Sequence, residues 1–73
     1  MSIVPVLATQ EVLRRLFKAG FRVVSQKGSH MKLWNPLTGH RTGVPFHRVD
    51  IGRNLLGKII KQSGLTIEEF LGL

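Results

Sequence analysis

The chain has 73 residues, no cysteine, and a formal net charge of +7, from 11 Lys and Arg against four Asp and Glu. This length suits one domain, residues 1–73, with a small core, and the lack of cysteine excludes disulfides and thiolate metal sites. No run approaches the roughly 18 apolar residues of a membrane helix, so we expect a cytoplasmic protein that has no membrane partner.

The first predicted helix begins near Thr9, since threonine often caps the N-terminus of a helix. It ends before Gly20, because glycine suits the position just past a helix. Apolar residues recur at helical spacing within this segment and predict one buried stripe. These residues are Val12, Leu13, Leu16 and Phe17.

Three strands are predicted after this helix, over residues 21–26, 30–34 and 41–46. The turn Lys27-Gly28-Ser29 separates the first two strands. Residues 35–39 separate the last two, and they include a proline and a glycine, which both favour turns. Such short links predict an antiparallel meander.

The second helix is predicted over about residues 52–63, again with an apolar stripe, and Gly64 ends it. Gly57 lies inside this helix and predicts close packing against another backbone. Thr66 and Glu69 have the spacing of a capping box, which indicates a short third helix to about Leu71. This order predicts a two-layer α+β domain in which the helices cover one sheet face and leave the other open.

Alternation along the second strand divides its side chains between the two faces of the sheet. Met31 and Leu33 should face the helices, so His30, Lys32 and Trp34 should share the open face. Lys32 can contact a phosphate, and Trp34 can stack on an unpaired base. The alternative for Trp34 is that it covers the edge of the core. A register slip of one residue would reverse these assignments.

The positive charge is concentrated in the middle of the chain. No carboxylate lies between Val12 and Val49, a stretch that holds eight Lys and Arg residues. A field of one sign attracts polyanions, so the sequence favours a nucleic-acid partner over an acidic protein partner or a merely solvated surface.

Three histidines, His30, His40 and His47, are candidates for chemistry. Their spacing matches no compact metal site and no carboxylate lies between them, so we expect no metal and no cofactor. An imidazole can take and give a proton near neutral pH, and RNA supplies its own nucleophile in the 2′-hydroxyl. We predict that His40 is solvated and favour a structural role for His47, with proton transfer or phosphate contact as alternatives.

Several segments lie in an order and at a spacing typical of one family. They are Gly20-Phe21, Gln26-Lys27-Gly28-Ser29-His30, Val44-Pro45-Phe46-His47, residues 56–65 and Glu68-Glu69-Phe70-Leu71. Together they resemble the HicA toxins of bacterial and archaeal toxin–antitoxin pairs, from about Val12 to Leu71. The resemblance implies a fold like the double-stranded-RNA-binding domain. It also implies a metal-independent endoribonuclease that cleaves mRNA and inhibits translation.

The resemblance also implies the site and the partner. The family's catalytic histidine follows Gly-Ser, and His30 follows Gly28-Ser29 here. The family's partner is the HicB antitoxin, which would mask His30 and the basic face. The expected RNA-binding residues are Lys27, Gly28, Ser29, Lys32, Trp34, Arg22 and Arg41. The alternatives are a non-catalytic basic RNA-binding module, which has no need of His30, and a purely protein-binding partner.

Overall fold

A computed structural model describes residues 3–73 of the chain. Its elements, in chain order, are β1 (Leu7–Ala8), α1 (Thr9–Lys18), β2 (Arg22–Lys27), β3 (His30–Trp34), β4 (Arg41–Pro45), β5 (Asp50–Ile51), α2 (Arg53–Ser63) and α3 (Ile67–Leu71). The predicted order of helix, three strands, helix and short helix is therefore confirmed. The two-residue strands β1 and β5 were not predicted. No helix in residues 3–73 has the length and apolar character needed to cross a membrane.

The central strands form a three-stranded antiparallel sheet in the order β2-β3-β4, as the meander prediction requires. Lys27 pairs with His30, so the β2–β3 hairpin closes through a two-residue turn. Gly28, the first of these two residues, has a φ of 60°. A positive φ at the first central position but not at the second, Ser29, is typical of a type II′ turn, which favours glycine at the first position. Gly28-Ser29 thus fixes His30 as the first residue of β3.

The hydrophobic core lies between one face of this sheet and the helices. Leu33 of β3 and Val44 of β4 supply the sheet side, and both are fully buried or nearly so. Within the described residues the helices supply six further core side chains, among them Leu16 of α1, Leu56 of α2 and Phe70 of α3. This is an α+β, α-β-β-β-α fold with a short C-terminal helix, consistent with the predicted double-stranded-RNA-binding-domain-like fold.

Thr9 does not cap α1, and that prediction is wrong. The N-cap residue is Ala8, which makes no side-chain cap hydrogen bond. Thr9 is buried, and its hydroxyl donates to the carbonyl of Arg48 at 2.6 Å while its N–H donates to the carbonyl of Val49 at 2.8 Å. Because β1 also pairs with β5, the start of α1 is tied to the segment that follows β4.

The other helix predictions have mixed outcomes. Gly64 ends α2 in the left-handed conformation, with a φ of 79°, and Thr66 with Glu69 forms the predicted capping box. The close packing predicted for Gly57 is wrong, because nothing lies within 4 Å of a Cβ placed there. Phe17 lies at the margin of the α1 stripe and is 46% exposed.

Candidate functional site

The pairing of the strands places Trp34 between two arginines on the open face of the sheet. Trp34 pairs with Arg22 of β2 on one side and with Arg41 of β4 on the other. Both arginines are exposed and Trp34 is half-buried. Directly paired residues on neighbouring strands lie on the same face, so this row presents one aromatic surface flanked by two cations.

A second row crosses the sheet at the opposite end of β3. Lys27 of β2 pairs with His30, and His30 pairs with Pro45 of β4. Lys27 and His30 are exposed. Lys32 is also exposed and lies between the two rows, opposite Ser25. The structure therefore brings His30 and Lys32 to the face that also carries Trp34, as alternation predicts.

His47 lies beside His30, although sequence reasoning favoured a structural role for it. The ring centroids of the two histidines are 6.3 Å apart and the rings are inclined at 66°. Both side chains are exposed. Nδ1 of His47 is 3.5 Å from the carbonyl oxygen of Ser29. The spacing in the sequence could have indicated that the two histidines are close, because Pro45 pairs with His30 and His47 follows Pro45 by two residues.

The two histidines line an open cleft of about 390 Å³ between β4 and α2. Arg48, which follows β4, lines this cleft too, and α2 contributes Lys58 and Gln62. No acidic residue is among the lining residues of this cleft in the described part of the chain. The cleft therefore combines two imidazoles with two cations, which is a suitable setting for a phosphate.

The α2 wall of the cleft is fixed to the sheet. The hydroxyl of Thr42 in β4 donates a hydrogen bond to Oε1 of Gln62 at 3.0 Å. Lys58 and Gln62 are four residues apart and so lie on the same side of α2. Neither Arg48 nor Lys58 was predicted as a site residue. Lys58 reaches the cleft only because α2 packs against β4, and Arg48 lies in the segment between β4 and β5.

His40 is separated from the other two histidines by its position in the turn between β3 and β4. Its side chain is exposed, as predicted, but its ring also lies against Gly64: a Cβ at Gly64 would be 2.5 Å from His40 Cε1. The structure thus brings together two of the three histidines and leaves His40 in a surface contact. Within residues 3–73, no group of three or more His, Cys, Asp or Glu side chains is arranged to hold a metal ion.

Two cations of the basic stretch are engaged in ion pairs on α1. Arg14 and Arg15 both donate to Oε1 of Glu11. The hydrogen bond from Arg14 lowers the pKa of the Glu11 carboxyl, and the same bond raises the pKa of Arg14. The exposed cations of the sheet and the cleft have no such carboxylate bound to them in the described structure.

Comparison with known proteins matches this chain to one protein family. A search among curated proteins found no match. The family model described as HicA toxin of bacterial toxin-antitoxin matches residues 9–65, which covers α1, the three-stranded sheet and α2. The resemblance predicted from the sequence is therefore confirmed: this chain belongs to the HicA toxin family, the toxins of toxin–antitoxin pairs, and so has a cognate antitoxin.

Proposed function

We propose that this toxin is a metal-independent endoribonuclease that cleaves mRNA in the cytoplasm and thereby inhibits translation. His30 is the proposed catalytic residue. The observation that carries the proposal is the place of His30: it is exposed at the end of a cationic sheet face, and it lines a cleft with His47, Arg48 and Lys58.

The chemistry needs only groups of the types found there. The 2′-hydroxyl of RNA attacks the adjacent phosphorus once a base removes its proton, and the leaving 5′-oxygen takes up a proton. Cations stabilise the charge that develops on the phosphorane oxygens. His30 serves as general base, and Lys27 and Lys32 on the neighbouring positions of the face supply positive charge.

The remaining predicted residues hold the RNA strand. An unpaired base stacks on Trp34, and Arg22 and Arg41 on either side of it contact phosphates. Gly28 and Ser29 form the turn that sets the position of His30. Binding of this kind depends on charge and stacking, so it should weaken strongly as the salt concentration rises.

The cognate antitoxin is proposed to be a HicB-type protein that covers His30 and the basic face. Most of that face is exposed, and its cations would attract an acidic partner surface. An antitoxin bound there would exclude RNA and also block the histidine, so one interface would remove both binding and cleavage.

The test is an mRNA-cleavage assay with the purified chain in the presence of EDTA. We expect fragments from the native chain and from His40→Ala, which removes a histidine outside the cleft. His30→Ala should lose about 10²-fold or more of the rate and should no longer arrest growth when expressed. Urea unfolding of each variant verifies that its fold is intact.

Two results would contradict the proposal. Cleavage by His30→Ala at the native rate would show that His30 is not catalytic. Salt-dependent RNA binding by the native chain without any fragments would favour the non-catalytic RNA-binding module instead.

A further inference from the structure

We infer that His47 is the second proton-transfer group of this cleft, and that it protonates the leaving 5′-oxygen while His30 accepts the proton of the 2′-hydroxyl. The inference rests on the proposed function and adds a catalytic residue to it. The evidence for it is the position of His47 relative to the ring of His30 and the hydrogen bonds of the backbone around His47.

The separation of the two rings suits a phosphate between them. At 6.3 Å between centroids, the imidazoles are not stacked on each other, and both line the same cleft. In an in-line displacement the attacking and leaving oxygens lie on opposite sides of the phosphorus, so one proton-transfer group cannot serve both at once. Two histidines on either side of a bound phosphate can each form a hydrogen bond of about 2.8 Å with one of these oxygens.

Nδ1 of His47 faces the backbone of the residue that precedes His30. The carbonyl oxygen of Ser29, 3.5 Å from Nδ1 of His47, can only accept a hydrogen bond. A hydrogen bond in this contact has to be donated by Nδ1, and it leaves Nε2 to exchange a proton with the substrate.

The backbone on both sides of His47 is held by hydrogen bonds. The N–H of Phe46 donates to the same Ser29 carbonyl at 3.0 Å, and the N–H of Arg48 donates to the carbonyl of Pro45 at 3.3 Å. The buried hydroxyl of Thr9 then binds the carbonyl of Arg48. These bonds fix the position of His47 relative to the β2–β3 turn, and so relative to His30, which is the preorganisation that proton transfer requires.

The step balances without any further reactant. The 2′-oxygen forms a bond to phosphorus and its proton passes to His30, while the bond from phosphorus to the 5′-oxygen breaks and that oxygen takes a proton from His47. The products are a 2′,3′-cyclic phosphate and a 5′-hydroxyl. The charged groups that share the cleft with the two histidines are Arg48 and Lys58, and these cations face the phosphate oxygens.

The experiment uses two versions of one oligoribonucleotide, made around a cleavage site first mapped with the native chain. In one version the leaving 5′-oxygen is replaced by sulfur, which departs as a thiolate and needs no proton. We expect His47→Ala to cut the oxygen substrate about 10²-fold more slowly than the native chain and the sulfur substrate at nearly the native rate. His30→Ala should be slow on both substrates, and His40→Ala should resemble the native chain on both.

The outcomes separate the possible failures. If His47→Ala is equally slow on both substrates, or as fast as the native chain on both, His47 is not the general acid, although the proposed function stands. If the native chain cuts neither substrate nor mRNA, the proposed function fails and this inference fails with it. His47→Gln, compared by urea unfolding with the native chain, separates a loss of chemistry from a loss of fold.

Discussion

Replacing Phe70 by alanine should remove a large part of the stability of the fold, although Phe70 lies beyond the residues that the family model matches. Phe70 is fully buried, and α3, which carries it, contacts both α1 and α2. A buried Phe→Ala change costs about 3–5 kcal/mol. The whole domain, at 73 residues, should have a free energy of unfolding of roughly 4–11 kcal/mol.

The assay is urea unfolding followed by the fluorescence of Trp34, the single tryptophan of the chain. For a small protein the slope is about 1 kcal/mol per molar urea, so the midpoint should fall by about 3 M or more, or the variant should be unfolded without urea. Both this variant and its control are made in the His30→Ala chain, so that toxicity does not limit production. Leu37→Ala is the control, because Leu37 is 82% exposed and its loss should change stability by about 0.5 kcal/mol or less. A Phe70→Ala midpoint that matches this control would refute the packing of α3 into the core.

Two further predictions concern the proposed RNA-binding face of the sheet and the α1 ion pairs. Trp34→Ala, in the His30→Ala chain, should weaken binding to single-stranded RNA by about 1–3 kcal/mol, measured by titration at fixed salt; unchanged affinity would show that no base stacks there. Because the folded pKa of Glu11 lies below its unfolded value, its stabilising effect is complete above the unfolded pKa and is lost as the pH falls through the folded pKa. Glu11→Gln should therefore make the urea midpoint less dependent on pH in the acid range, and an unchanged pH dependence would contradict this.

The parts of the fold that follow local rules could be predicted from the sequence. β3 has the predicted bounds, since a Gly-Ser turn precedes it and its side chains alternate between faces. The short helix α3 was predicted from Thr66 and Glu69, whose capping box needs only neighbours in the chain. These features depend on contacts between residues that are no more than three positions apart in the chain. Over this range the residue types determine the backbone geometry of turns and caps.

The parts that were missed depend on contacts between distant segments. Thr9 has the residue type of an N-cap, yet its hydroxyl binds the carbonyl of Arg48, 39 positions away. Strands β1 and β5 are two residues long, too short for any alternation to be visible. Lys58 joins the candidate site only because α2 packs against β4. Sequence patterns predicted the sheet face that carries His30, but not the cleft beside it.

The separation between the two ends of β3 has a consequence for how RNA would lie on this face. His30 and Trp34 are the first and last residues of β3, and four residues of strand span about 13 Å. Under the proposed function, a base stacked on Trp34 would therefore be several ångströms too far from His30 to belong to the bond that is cleaved. The RNA strand would run from the row of Arg22, Trp34 and Arg41 past Lys32 to the cleft. At least one nucleotide would then lie between the stacked base and the scissile phosphate. Stacking tolerates every base because each has a π-face, so any sequence preference at the proposed cleavage site would have to arise in the cleft lined by His30, His47 and α2.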